Sequence, residues 1–364
     1  RQDWAAIRAI SDEAFVSVVS LYVDQTGLVR KCQLLRYEEG GFHRVAFVRI
    51  TDDGVSQEYV VKVPATGTSR SWTDGDAHSL MCEAELMRLV HSRTTVPVPE
   101  LIFYDTDLYN HLGAPFILMR AVTGKPAYTF WYDGWEDRDD LWKTAESPSP
   151  KAEKFRVNFL RSLAAVMAQL STLTFDRIGM PSWDENGMSA CAVDQFESFT
   201  LLHNDIDLQN LLVDEDGNIT GVLDWDGTIA APRSIAAAAA PVFLRQDWYP
   251  EFNPLEDQPW LCMSLPRYRR IYADALKEFG CSDAKYTEKS PIYQAMKAAL
   301  SQGGDAEDLI GKLLLQIPEI QRMDVKIVAE AVGKGSPALE ELLKDRLPLL
   351  LLPEEERKPM ASKL

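Results

Sequence analysis

LLHNDIDLQNLLVDEDGNITGVLDWD, residues 201–226, decides how this chain is read. The stretch sets His203, Asp205 and Asn210 in an H-x-D-x-x-x-x-N array and follows them with Asp224-Trp225-Asp226. Moving a phosphoryl group from a nucleotide requires a carboxylate that orients the attacking hydroxyl. It also requires oxygen ligands for the Mg2+ that bridges the phosphates. Asp205 suits the first task, and Asn210 with Asp224 the second. Residues 211–213 read as a short apolar strand, Asp214-Glu215-Asp216-Gly217-Asn218 as a turn with Gly217 supplying φ > 0, and residues 219–223 as the returning strand. A turn centred on Asp216-Gly217 sets Leu212 opposite Gly221 and Asn210 opposite Leu223. Asn210 and Asp224 are then diagonal neighbours at the open end of a hairpin, roughly 7–8 Å apart at Cα. A surface hairpin with acidic ends is the plain alternative. The array, the hairpin and the second carboxylate together favour a kinase-type site.

Composition narrows the class. The 364 residues are 46% hydrophobic, which suits a globular core of one large or two medium domains. The net charge of −17 argues against a nucleic-acid surface and is compatible with a cationic acceptor. Cys32, Cys82, Cys191, Cys262 and Cys281 are scattered and show no C-x-x-C spacing, so neither a disulfide framework nor a zinc site is expected. No apolar run approaches the roughly 18–20 residues of a membrane helix, and IAAAAA at 235–240 reads as a tightly packed helix or turn in the core. With no secretory opening, the expected location is cytoplasmic. The alternative is peroxisomal if Ser362-Lys363-Leu364 is the native terminus. The sequence does not speak to oligomeric state.

The array and hairpin resemble the aminoglycoside phosphotransferase/choline kinase family, especially its fungal members, over about residues 37–352. The resemblance implies an α+β, bilobal protein-kinase-like fold with a β-rich N-lobe and a mainly helical C-lobe. ATP, or another nucleoside triphosphate, would lie between them with Mg2+. The N-lobe is expected at 1–121, with an N-terminal helix, the nucleotide-binding sheet and the hinge. The C-lobe, with catalytic loop and acceptor site, follows at 122–364. The family usually reads H-G-D or H-x-D-L where this chain has His203-Asn204-Asp205-Ile206. Asn enters unusual backbone regions more readily than most residues, and Ile206 keeps an apolar anchor, so no catalytic group is lost.

Upstream, Glu39-Gly40-Gly41-Phe42-His43-Arg44-Val45 precedes strands at 46–50 and 58–63. Gly40 and Gly41 can lay backbone N–H groups over phosphates, although the stretch is neither a Walker A sequence nor a full G-x-G-x-x-G, and an ordinary hairpin turn has the same composition. Lys62, in an alternating strand, resembles the lysine that pairs with α- and β-phosphates; a solvated edge charge is its bland reading. The helix at 79–92 offers Glu83 and Glu85 as its partner. Family register favours Glu83, and Glu85 stays open. Residues 116–121 look like the hinge strand, with the main chain of Met119 to Ala121 reading the base.

In the C-lobe, Phe155, Phe159, Leu163, Met167 and Leu170 form the apolar stripe of a helix at 155–173 and read as core. The stretch from Gly179 to Leu201 is shorter than in the family, through either a small acceptor wall or a missing insert. Helices are expected at 267–278, 292–300, 306–317 and 325–331. Trp248, Tyr249, Trp260 and Tyr268 are wall aromatics or core. Glu251, Glu256 and Asp257 are acceptor-facing or solvated charges, and Glu354-Glu355-Glu356 is a solvated tail. These readings predict a kinase acting on a hydroxyl of a small molecule. A catalytically silent nucleotide-binding scaffold and a protein kinase are the alternatives, the latter weakened by the absence of an A-P-E segment.

Overall fold

Two helices, α1 (Trp4–Arg8) and α2 (Asp12–Val23), precede three strands, β1 (Lys31–Glu39), β2 (His43–Asp52) and β3 (Val55–Pro64). Along β2, half-buried and buried residues alternate, as in a strand covered differently on its two faces. Ala46, Val48 and Ile50, with Tyr59, Val61 and Val63 of β3, pack under Phe15, Val18 and Val19 of α2. The opposite face carries His43, Val45, Phe47, Val60 and Lys62 into an open cleft. The long helix α3 (Asp74–Arg93) follows, then β4 (Leu101–Asp105) and β5 (Phe116–Arg120), closing a sheet of order β1-β2-β3-β5-β4. α3 starts five residues before the expected Ser79, because Thr73 and Asp76 form a reciprocal capping box.

The computed structural model describes residues 2–23, 31–132, 148–184, 187–189, 198–249, 259–301 and 306–352. Cys191, Glu251, Glu256, Asp257, Glu354 to Glu356 and the terminal Ser362-Lys363-Leu364 lie outside these residues, as do the side chains of Trp260 and Cys262. After the sheet come β6 (Lys125–Pro126), α4 (Tyr128–Trp131) and α5 (Pro150–Leu170), whose stripe of Phe155, Phe159, Leu163, Met167 and Leu170 is buried as expected. Short strands follow: β7 (Thr174–Phe175), β8 (Ser182–Asp184), β9 (Gly187–Ser189), β10 (Phe199–Leu202), β11 (Leu211–Val213), β12 (Ile219–Val222) and β13 (Ile229–Ala231). The remainder is helical: α6 (Pro259–Glu278), α7 (Ala284–Thr287), α8 (Ser290–Ser301), α9 (Ala306–Leu314), α10 (Val325–Gly333) and α11 (Pro337–Leu351). The molecule is thus an α+β fold with a β-rich N-terminal lobe and a mainly helical C-terminal lobe, as the family resemblance implied.

The alanine run is buried in turns, not in a helix. Its small side chains let the backbone reach α7 and α8, where Thr287 Oγ1 donates to Ala238 O and Ala240 N donates to Ser290 Oγ, both at 2.7 Å. Tyr268 is core: it is fully buried, edge-on to Trp131, and its hydroxyl donates to Glu153. No described helix is long and apolar enough to cross a membrane.

Candidate active site

The β11–β12 hairpin has the expected register at its open end. Leu212 lies opposite Gly221, and Leu223 N donates to Asn210 O at 2.9 Å. At the turn Gly217 adopts φ +89, and a Cβ there would press on Phe155 O at 3.1 Å, so both the backbone and the neighbouring helix require glycine.

His203 braces the catalytic loop. Its Nδ1 accepts the Asp205 N–H at 3.3 Å. The carbonyl of Leu223, 3.0 Å from Nε2, can only accept, so Nε2 carries the proton and donates. The first bond exists only while the ring is neutral, and burial keeps it so by pulling its pKa down to about 4. Trp225 is buried edge-on against that ring, with its indole N–H on Val222 O. Asn204 departs from the expected explanation. Its φ is not left-handed; its amide donates to Gly227 O and ties the loop to the segment after β12. Asp205 Oδ2 accepts from Asn210 Nδ2 at 2.7 Å and from Gln209 Nε2 at 3.3 Å. This fixes the carboxylate and leaves the amide oxygen of Asn210 without a partner among the described residues.

Lys62 is held between two carboxylates. Its Nζ donates to Glu83 Oε1 and to Asp224 Oδ1, both at 2.8 Å. Burial alone would pull the ammonium down, but Glu83 and Asp224 outweigh it and hold its pKa above the ordinary lysine value. Burial likewise works against the Asp224 carboxylate, yet Lys62 prevails and its pKa lies below the usual range. Glu85 is engaged elsewhere, by Arg88 at 2.6 Å and the Tyr104 hydroxyl at 3.0 Å. Asp224 itself sits at φ 58, a sparsely populated region for a residue with a Cβ, and its contact with Lys62 holds it there.

The cleft encloses about 440 Å³ and has a mixed lining. Apolar Val45, Val60, Met119 and Leu212 share it with polar Lys62, Asn210 and Asp224. Gly40 and Gly41 border it from the β1–β2 turn. Neither has a left-handed φ, and an added Cβ at either would meet nothing within 4 Å, so the turn itself does not demand two glycines. The Gly40 N–H, expected to face phosphates, is spent on His43 O at 3.1 Å, so of the two only Gly41 keeps an N–H without a partner among the described residues. At the hinge the structure departs from the expectation for Ala121: its N–H is spent on Glu58 O at 2.9 Å, as that of Arg120 is on Glu100 O. The next residue, Val122, lines the cleft, and its N–H has no partner among the described residues. Val122, His43 and Gln209 are among the cleft residues that the sequence reading does not single out. His43 could have been found by counting along β2, since it shares a face with Val45, which pairs with Lys62.

The oxygens of Asn210 and Asp224 are the hard donors that Mg2+ takes. Among the described residues no group of three His, Cys, Asp or Glu could hold an ion by itself. This donor set fits an ion that keeps waters and substrate phosphates as its remaining ligands.

The fold and cleft place the chain among bilobal, kinase-like phosphotransferases. The chain belongs to the phosphotransferase enzyme family, whose sequence profile matches residues 36–235. It is also 25% identical over 142 residues to altered inheritance of mitochondria protein 9, mitochondrial, of Candida glabrata; the match covers 39% of this chain and 22% of that protein. Among solved structures it is similar to macrolide 2'-phosphotransferase type I at 13% identity and a TM-score of 0.44, covering 83% of this chain and 96% of that one.

Proposed function

We propose that the protein transfers the γ-phosphoryl group of ATP, or of another nucleoside triphosphate, to a hydroxyl of a small molecule. The observation that carries this reading is the ammonium of Lys62, held by Glu83 and Asp224 in a cleft that Asn210 and apolar Val60 and Met119 also line. Such a lining suits a planar base with an anionic tail. Val122 offers a free N–H to the base edge. Lys62, fixed by Glu83, steadies the phosphates. Asn210 and Asp224 would hold Mg2+, which would supply positive charge to offset the negative charge on the phosphates. Asp205 accepts the proton-bearing hydroxyl of the acceptor and aims its oxygen at phosphorus, while Asn210 and Gln209 keep the carboxylate from rotating. The net charge of −17 suits a cationic acceptor.

The test combines calorimetry with Mg-ATP, Mg-GTP and Mg-ADP and a phosphorylation screen of a hydroxyl-bearing metabolite library read by mass spectrometry. The expected result is micromolar to millimolar nucleotide binding and a mass gain of one phosphate on an acceptor. Asp205→Asn is expected to abolish transfer while ADP affinity stays within about twofold, because the carboxylate acts on the acceptor and not on the nucleotide. Undiminished transfer in Asp205→Asn, or absence of nucleotide binding, overturns the reading.

A further inference from the structure

The glycine turn carries a polar group that the reaction described above does not use. His43 is the first residue of β2 and pairs with Pro64; two residues on, Val45 pairs with Lys62. In an antiparallel ladder, directly opposed residues share a face, and every second residue returns to it. His43, Val45 and Lys62 therefore project together from the sheet into the cleft. The imidazole is one of the residues shared by the cleft and by a second cavity of about 390 Å³ that runs toward Trp72 and Ser79. It thus stands on the partition where the polar end of the cleft opens outward. Its ring nitrogens have no hydrogen-bond partner among the described residues.

The backbone under this side chain is fixed from several sides. Gly40 N donates to His43 O at 3.1 Å, and Ala65 N donates to Phe42 O at 2.7 Å. Gln2 Nε2 donates to Gly41 O at 2.6 Å. Arg8 grips Glu39, at the base of the same turn, through Nε and Nη2. Arg44 Nη1 reaches Ile7 O at 2.9 Å and links the turn to the N-terminal helix again. So ordered a turn presents its side chain in one place, and a polar ring without a partner is left facing the space beside the lysine.

We propose that His43 is a phosphate-binding residue, donating a ring N–H to the nucleotide's phosphate oxygens beside Lys62. This inference rests on the reading of the cleft as a nucleoside triphosphate site. A ring N–H aimed at the phosphates orients them, while the Lys62 ammonium supplies the attraction.

The experiment compares ADP and adenosine affinities by calorimetry at constant Mg2+ for the parent, His43→Ala and His43→Gln, with thermal unfolding recorded for each. Lost orientation at the phosphates predicts that His43→Ala weakens ADP about tenfold and leaves adenosine within about twofold. His43→Gln, which keeps an N–H at similar reach, is expected to restore ADP to within about threefold of the parent. Unchanged ADP affinity in His43→Ala, or equal losses for ADP and adenosine, overturns the inference while the nucleotide site stands. A parent protein that binds neither ligand overturns the site itself and this inference with it.

Discussion

Removing the Lys62 ammonium strands a buried carboxylate, and the consequence can be worked from two distances and three exposures. Nζ lies 2.8 Å from both Glu83 Oε1 and Asp224 Oδ1; the side chains of Lys62 and Glu83 are 10% and 6% exposed, and that of Asp224 43%. At an effective dielectric of about 20, each contact has a gross Coulomb energy of about 6 kcal/mol. Desolvation offsets most of this for the buried pair, and solvent screening most of it for the Asp224 contact. In Lys62→Met the half-exposed Asp224 turns to water, but Glu83 loses its only hydrogen-bond partner among the described residues. Breaking a buried pair in this way costs about 3 kcal/mol at pH 7. In Lys62→Met/Glu83→Leu neither charge remains, and the loss relative to the parent falls to about 1 kcal/mol, giving a coupling of at least about 2 kcal/mol. The pH dependence supplies a second sign. Burial raises the Glu83 carboxyl above its unfolded value, and without Lys62 nothing opposes that shift. A group whose folded pKa is raised gives stability that is present below the unfolded pKa and lost as pH rises through the folded one. Lys62→Met therefore recovers stability relative to the parent between pH 7 and pH 5. Urea denaturation at both pH values measures these quantities, and Glu85→Ala, cycled with Lys62→Met, is expected to be additive. Coupling below about 0.5 kcal/mol, coupling at Glu85, or a deficit unchanged at pH 5 refutes the reasoning.

Three further outcomes are expected. Asp224→Ala removes most of the Mg2+ dependence of nucleotide affinity; metal-titrated calorimetry with the parent's dependence intact rejects the ligand role. His203, neutral in the fold with a pKa near 4 against an ordinary 6.5, contributes about 3 kcal/mol that is fully present above pH 6.5 and is lost as pH falls toward 4. His203→Gln should accordingly show a shallower loss of stability from pH 6.5 to 5, and an identical slope in chemical denaturation contradicts the assignment. Val122→Pro deletes a cleft N–H that serves no described protein acceptor, so ADP and adenosine should weaken together by about tenfold, and unaltered binding discards the hinge contact.

What was legible in the sequence follows the range of each interaction. The open end of the β11–β12 hairpin could be registered because a short turn with Gly217 at positive φ joins the strands, whereas the irregularity between Leu212 and Val213, which pairs Val213 with Ile219, leaves no mark in the pattern. The Lys62 partner was harder. Glu83 and Glu85 are two residues apart on α3, about 200° around the helix axis, so only one can face the sheet. Periodicity says that they diverge but not which one turns inward, and the choice came from family resemblance. The start of α3 is written in the Thr73–Asp76 capping box, which lies ahead of the apolar stripe and is polar, so hydrophobic periodicity does not mark it. Ala121 illustrates a different limit. Which backbone N–H is free at a hinge depends on cross-strand bonds to Glu58 and Glu100, distant in sequence and silent in composition. The contact of Lys62 with Asp224 spans 162 positions, and no local pattern encodes it.

On the proposed reading, the same triangle would make a divalent ion necessary. Lys62 brings one positive charge to the polar end of the cleft, and Glu83 and Asp224 bring two negative ones, so the group as built does not attract anions. His43 adds a donor but no charge, because Lys62 and burial keep it neutral. A triphosphate entering alone would set its own negative charge against Asp224 at short range. With Mg2+ on Asp224 and Asn210 that repulsion becomes ligation, and Lys62, pinned by Glu83, is left to face the phosphates. Glu83 is the permanent member of this arrangement and Asp224 the conditional one. Their burial reflects it: Glu83 is closed off beneath the sheet, whereas Asp224, strained at positive φ, opens toward the cleft. A site built this way would hold its lysine in place through Glu83 and, on the proposed reading, would gain affinity for nucleotide only when the metal arrives with it.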